Sequence, residues 1–263
     1  MSRFRSAFPQ QKPIIGMIAL PPLAGYSDFV SIDAVVAAAL ADLAALEAGG
    51  VSGVLVENDF DQPHTLIVGA EILAAMTRVT REVVAKARVP VGVEVLLNDW
   101  RGSLAVAAMT GAQFIRLDFF VDRVRSKLGI IDPVPDAVMA YRQKIRAESV
   151  QVFADLQVKY SELVDGPKPI GQSAREAAAA GADAVIVTGT ETGVGPEASD
   201  LLAARAGSLP VLIGSGLTAT NAPSLLALAD GAIVGTSLRS GRTGADRVVA
   251  ANVNRLLVAV RAR

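Results

Sequence analysis

The segment EAGGVSGVLVEN (Glu47–Asn58) holds a helix end, a tight turn and a strand within twelve residues. Paired glycines stop a helix, because the position after its last turn takes a left-handed backbone. The run GVLVE is apolar until its final acid, as expected of a parallel strand covered on both faces. The same order recurs in MTGAQFIRLD (109–118) and AAAGADAVIVTG (178–189). Outward from these, eight strands are predicted: 13–20, 53–57, 91–95, 113–118, 150–156, 184–189, 210–214 and 231–235. Alanine-rich helices are expected between and after them at 32–48, 70–87, 101–110, 135–147, 172–180, 197–206, 222–229 and 244–262.

Eight β/α units without a linker or a shift in composition predict an α/β fold, a single-domain (β/α)8 or TIM barrel. A doubly wound sheet is the rival. The barrel domain would run over residues 13–263, after a short N-terminal extension of residues 1–12. Two connections are long, FFVDRVRSKLGIIDPVP after the fourth strand and VKYSELVDGPKPIG after the fifth. Both belong to the face where such barrels build active sites.

The chain has 263 residues, 51% hydrophobic, with 25 basic and 26 acidic side chains and a formal charge of −1. No electrostatic field here would gather a phosphate backbone, so nucleic acid is not an expected partner. Zero cysteines exclude thiol nucleophiles, disulfides and cysteine-based zinc, and a single histidine, His64, excludes histidine-rich metal sites. His64, in DFDQPHTL, reads as a solvated loop residue. The N-terminal residues lack the apolar core of a secretory signal, and no stretch reaches the ~20 apolar residues of a membrane span. A cytoplasmic location is the expectation.

Polar residues cluster at strand ends. Glu57, Asn58 and Asp59 close the second strand; Glu94 lies in the third, with Asn98 and Asp99 just beyond. Arg116 and Asp118 share a face of the fourth. In VQVFADLQVKY (150–160), alternation would point Asp155, Gln157 and Lys159 the same way. One such residue is explained by a structural ion pair, for instance Arg116 with Asp155. Four successive strands ending this way are harder to explain by packing, since buried charges are costly unless paired. The later strand ends, VTGTETGVGP, IGSGLTATNAP and VGTSLRSG, are rich in glycine and hydroxyls instead. Tight turns alone account for glycines, but the seventh and eighth loops are the usual phosphate site of this fold. Gly189, Gly214, Ser215, Gly216, Gly235, Thr236 and Ser237 are the phosphate-binding candidates.

Lys159, Asp155, Glu57 and Asp118 are the catalytic candidates, with Asn58, Glu94, Asn98, Arg116, Gln157 and Thr188 placed around the substrate. Two chemistries suit them. Lys159 forms a Schiff base with a sugar carbonyl, or it stays charged and stabilises an enolate while a carboxylate moves protons. Mg²⁺ on the carboxylates is compatible with the second, which is favoured; no other cofactor is implied. Both predict isomerisation, epimerisation or aldol-type cleavage of a small phosphorylated sugar or sugar acid. A homo-oligomer is left open.

The pieces IIGMIALPPLAG, ALEAGGVSGVLVEN, VPVGVEVLLND, FADLQVKY, DAVIVTGTETGVGP, PVLIGSGLTATN and ADGAIVGTSL, from Ile14 to Leu238, resemble the BtpA/SgcQ family. The resemblance implies a barrel related to phosphate-binding enzymes of the ribulose-phosphate binding type. It also links cyanobacterial members to photosystem I accumulation, and many bacterial members to genes of sugar uptake and phosphorylation. It implies histidines where this chain has Ala19, Gln157 and Tyr160. Either different chemistry operates on a similar substrate, or the chain is a non-catalytic assembly factor that has kept the barrel.

Overall fold

Gly50 adopts φ 89° and ends the helix Ile32–Gly49, its N–H donating to the carbonyls of Leu46 and Glu47 at 3.1 and 3.0 Å. The chain passes directly into a strand, and Gly111 and Gly181 repeat the left-handed turn ahead of two others. The computed structural model describes residues 2–261. The barrel strands are β1 (Ile14–Ala19), β2 (Gly53–Glu57), β3 (Val91–Glu94), β4 (Phe114–Leu117), β7 (Gln151–Leu156), β9 (Ala184–Val187), β10 (Val211–Ile213) and β11 (Gly231–Val234). All pair in parallel and close as β1-β11-β10-β9-β7-β4-β3-β2, the eight-stranded barrel expected.

Alternation sorts each strand's side chains between the barrel interior and the surrounding helices. Inward positions run from apolar at the base to polar at the mouth: Gly53, Leu55, Glu57 on β2; Gly92, Glu94 on β3; Phe114, Arg116 on β4; Phe153, Asp155 on β7. Phe114 and Phe153 stack with ring centroids 4.7 Å apart. Gly92 makes room for them, since a Cβ there would meet the Phe114 ring at 2.1 Å. The N-terminal extension closes this layer from below. Its helix Arg3–Ala7 buries Phe4, and Phe8 follows, both fully covered and packed against the two strand phenylalanines. A second apolar layer lies between the strands and the helices.

Helix ends differ from expectation by three residues or more in two places. The helix predicted to 147 stops at Lys144, and Arg146 takes a left-handed φ of 57°. The last helix, predicted from 244, is Ala250–Arg261, and Ala262 lies outside the described residues. Residues 244–249 are held instead by tertiary bonds: buried Asp42 accepts from Val248 N at 2.8 Å and Arg247 Nη1 at 3.1 Å.

The long loops combine into a lid. β5 (Val124–Ser126) pairs antiparallel with β6 (Gly129–Ile131) and with β8 (Glu162–Leu163), which comes from the loop after β7. Phe119, Val124, Ile131 and Val158 form its apolar underside. Arg123 bonds Asp132 at 2.7 Å and Asp165 at 3.1 Å across its outer edge, exposed pairs that solvent screens. Among the described residues, no helix is long and apolar enough to cross a membrane.

Candidate active site at the barrel mouth

Arg116 stands at the centre of the polar layer, buried to 5% exposure. Its Nε and Nη2 donate to the two oxygens of Asp155 at 2.8 and 3.1 Å. Its Nη1 lies 3.5 Å from Glu57 and 3.7 Å from Glu94. Glu57 and Glu94 are register partners on β2 and β3, so two carboxyls sit side by side in a dry layer. Neither oxygen of Glu94 reaches a hydrogen-bond donor among the described residues. Burial pushes Glu57 up to about 7, against the pull of Arg116. Burial also lifts Glu94 well above the carboxylate range, helped by the charge of Glu57. At the end of β4, Asp118 is raised well above that range by burial and then by the charges of Glu94 and Asp155. One guanidinium therefore faces four acids, and the layer retains protons near neutral pH.

Above this floor opens a cavity of about 880 Å³. Glu57, Glu94, Arg116, Asp118 and Lys159 all line it. Asp118 and Lys159 differ from the rest: among the described residues neither makes a side-chain hydrogen bond or an ion pair within 4 Å. They are the two ionisable groups of this layer left to a ligand. Asp155, by contrast, is consumed by Arg116 and is not a wall residue of the cavity.

Three predicted substrate contacts are structural instead. Asn58 donates to Asp61 at 3.0 Å and accepts from Leu96 N at 2.8 Å. Asn98 exchanges two bonds of 3.1 Å with the backbone of Phe119. Gln157 does not continue the alternation of β7. Its φ of 47° breaks the strand, its N–H donates to Asp122 at 3.0 Å, and its amide donates to Lys168 O and Ser173 Oγ, at 2.9 and 3.1 Å. Where the family resemblance implies an imidazole, this chain thus has an anchor for the turn that carries Lys159. The other two departures are settled locally: Ala19 is buried opposite Glu57, and the Tyr160 hydroxyl bonds Thr192. Thr188 accepts from Lys159 N at 3.2 Å, and with Gly189 it lines a smaller neighbouring cavity of about 260 Å³.

Gly214, Ser215, Gly216, Gly235, Thr236 and Ser237 line the main cavity together on the β10/β11 side. Gly216 has φ 68°, and a Cβ there would strike the Val194–Gly195 backbone at 2.1 Å, so only glycine permits this loop contact. The serine hydroxyls brace the loops: Ser215 accepts from Gly189 N and donates to Val194 O, each at 2.8 Å, and Ser237 donates to Leu217 O at 2.7 Å. A ligand on this side would meet backbone rather than those hydroxyls. Sequence reasoning missed Arg242, an exposed guanidinium on the same wall with no ion-pair partner among the described residues. The basic RSGRTG that follows the eighth strand was its only signal.

His64 corrects the sequence reading. It is 8% exposed, lines the cavity and bonds Gln62 across 2.8 Å from Nε2, while burial holds its pKa below the usual value. Among the described residues no three acids or histidines converge as a metal cage. Arg116 occupies the position between the carboxylates that Mg²⁺ would need.

A family model described as the BtpA family matches residues 10–262. A protein of Archaeoglobus fulgidus is 35% identical over 240 residues, covering 90% of this chain and 96% of its own. The photosystem I biogenesis protein BtpA of Synechocystis is 33% identical over 236 residues, covering 88% and 82%. Among solved structures, Mycobacterium tuberculosis tryptophan synthase matches with TM-score 0.61 at 16% identity, covering 99% of this chain and 97% of that one. N-(5′-phosphoribosyl)anthranilate isomerase of Pyrococcus furiosus matches with TM-score 0.56 at 13% identity, covering 95% and 98%. At these identities the structural matches establish the barrel fold alone.

Proposed function

The chain belongs to the BtpA family, and on that premise we propose that it is an enzyme acting on a small phosphorylated sugar or sugar acid. The reaction class is carboxylate- and lysine-assisted isomerisation, epimerisation or aldol-type cleavage. The observation that carries this reading is the pair Asp118 and Lys159, which face the cavity without protein partners above a buried, proton-retaining acid layer. A scaffold has no use for such a pair, because polar groups left without partners at a partly covered site cost stability.

In the favoured chemistry the phosphate rests on the loops of Gly214–Gly216 and Gly235–Ser237, with Arg242 supplying the positive charge. Glu57, pushed up to about 7, is the general base that takes the proton next to the substrate carbonyl. Lys159 stabilises the oxyanion that results; as Asp118 gives its proton to the neighbouring carbon, the proton of the adjacent hydroxyl passes to the other oxygen, and Glu57 and Asp118 then regain their starting states by exchange with solvent. Two acids with different surroundings thereby take opposite roles. Arg116 and Asp155 hold the layer's geometry, and no step requires a metal.

The test combines binding and exchange. Thermal-shift screening with inorganic phosphate and sugar phosphates comes first; no shift with any of them sinks the phosphate assignment. Ligands that bind are then incubated in D₂O, and deuterium gained beside the carbonyl is read by NMR. Exchange that survives both Glu57→Gln and Lys159→Met would rule out these roles. The name of the Synechocystis relative favours a second reading, a non-catalytic assembly factor. Phosphate binding without exchange for any bound sugar phosphate would support it.

A further inference from the structure

The two ends of the main cavity are chemically unlike and lie on opposite sides of the barrel. In the closed strand order, β3 and β4 stand three or four strands away from β10 and β11. The loops after β10 and β11 form the glycine-lined end. After β3 and β4 the wall is Leu96, Leu97 and Phe119, with Val158 beside them from the lid's underside.

This apolar wall is fixed in place. Leu96 N–H is taken by Asn58 at 2.8 Å, Leu97 N–H by Thr65 O at 2.8 Å, and Phe119 N–H by Asn98 at 3.1 Å. With those amides engaged, the shelf offers a ligand side-chain carbon rather than backbone donors. Its rim is polar, however: Gln62 and His64 come from the loop after β2, and Lys127 from the tip of the lid. A flat apolar group carrying heteroatoms at its edge suits a shelf of this kind. The cavity volume of about 880 Å³ agrees. It lies in the upper part of the roughly 300–1,000 Å³ span of pockets that enclose drug-sized ligands, more than a bare sugar phosphate calls for.

We infer that the substrate is two-ended: a phosphorylated sugar bearing a heteroaromatic ring, with the phosphate at the β10/β11 loops and the ring on the Leu96–Leu97–Phe119 shelf. Between them the sugar lies over Glu57 and Glu94, which line the cavity floor. This inference deepens the proposed function and rests on its phosphate assignment; the substrate must also carry a carbonyl for that chemistry, which the ring-bearing probes below lack, so they report binding alone.

The test is calorimetric titration of the full chain with ribose 5-phosphate and with ribose 5-phosphates carrying adenine or uracil at C1. At least one ring-bearing compound is expected to bind about tenfold or more tightly than ribose 5-phosphate. In Leu97→Ser, checked for folding by its melting transition, that ratio should fall toward one. If neither ring-bearing compound exceeds ribose 5-phosphate in the wild type, the inference is overturned, whatever the variant does. A failure of the phosphate assignment reads differently: inorganic phosphate and ribose 5-phosphate then do not bind at all. In that case adenosine binding that Leu97→Ser weakens upholds the shelf, and no adenosine binding overturns it.

Discussion

Arg116 and Asp155, on neighbouring strands, meet in a two-bond fork of 2.8 and 3.1 Å beneath the cavity floor. Both are buried, so neither charge can be left alone. Arg116→Met should destabilise the protein by about 3–5 kcal/mol, because it strands Asp155 and the glutamates in a dry layer. Arg116→Met combined with Asp155→Leu should recover part of that loss. Urea denaturation of the two variants decides it, and equal losses would mean the pair does not act as a unit.

The acid layer makes stability depend on pH in a set direction. Glu57 is raised from an ordinary value of 4.5 to about 7, so the folded protein holds a proton that the unfolded chain has released across that window. The folded state then binds more protons, and stability falls as pH rises from about 4.5 to 7, levelling off above. Glu94 and Asp118 are shifted the same way. Glu57→Gln should flatten this decline by on the order of 3 kcal/mol, read as melting temperature against pH. In turnover, kcat/KM should rise through an acid limb near pH 7 that Glu57→Gln abolishes.

Much of this arrangement was legible because strand parity is local. Apolar runs ending in Glu57, Arg116 and Asp155 placed those side chains at the mouth before any contact was known. Legibility ended where distant groups override parity. Gln157 leaves the strand because Asp122, thirty-five residues earlier in the chain, captures its N–H and fixes a left-handed backbone. His64 looks solvated in sequence, since its burial arises only once the loop after β2 folds against the mouth. Asn58 and Asn98 are polar residues at strand ends like the others, and only their backbone partners reveal them as braces.

Gln157 is accordingly a positioning residue. Gln157→Ala removes two side-chain hydrogen bonds and should cost about 1–3 kcal/mol while keeping the strained turn. Hydrogen exchange at the Lys159 amide, which Thr188 accepts at 3.2 Å, should quicken in this variant. Unchanged exchange there would show that the turn is held without the glutamine.

The base of the barrel gives a prediction independent of function. Phe4 and Phe8 are fully buried against Phe114 and Phe153 although they lie in the N-terminal extension. Phe4→Ala or Phe8→Ala should each cost about 3–5 kcal/mol, as for aromatic deletions in a closed core. A loss under 1 kcal/mol, measured in urea, would mean that the extension merely covers the base.

Arg242 supplies the sharpest check on the phosphate end. The loops at Gly214–Gly216 and Gly235–Ser237 carry no charge, and their serine hydroxyls are engaged with backbone carbonyls. Attraction for a dianion must then come from a nearby cation, and Arg242 lines that wall with its guanidinium unpaired among the described residues. Because Arg242 is exposed, salt should screen its contribution. Arg242→Ala is expected to weaken inorganic phosphate binding about tenfold, near 1.4 kcal/mol, and to reduce its salt dependence. Arg78→Ala serves as the comparison, since Arg78 pairs with Glu82 on an outer helix and should leave both quantities unchanged. If the two variants bind phosphate equally well, the anion is held by backbone alone or does not sit on this wall.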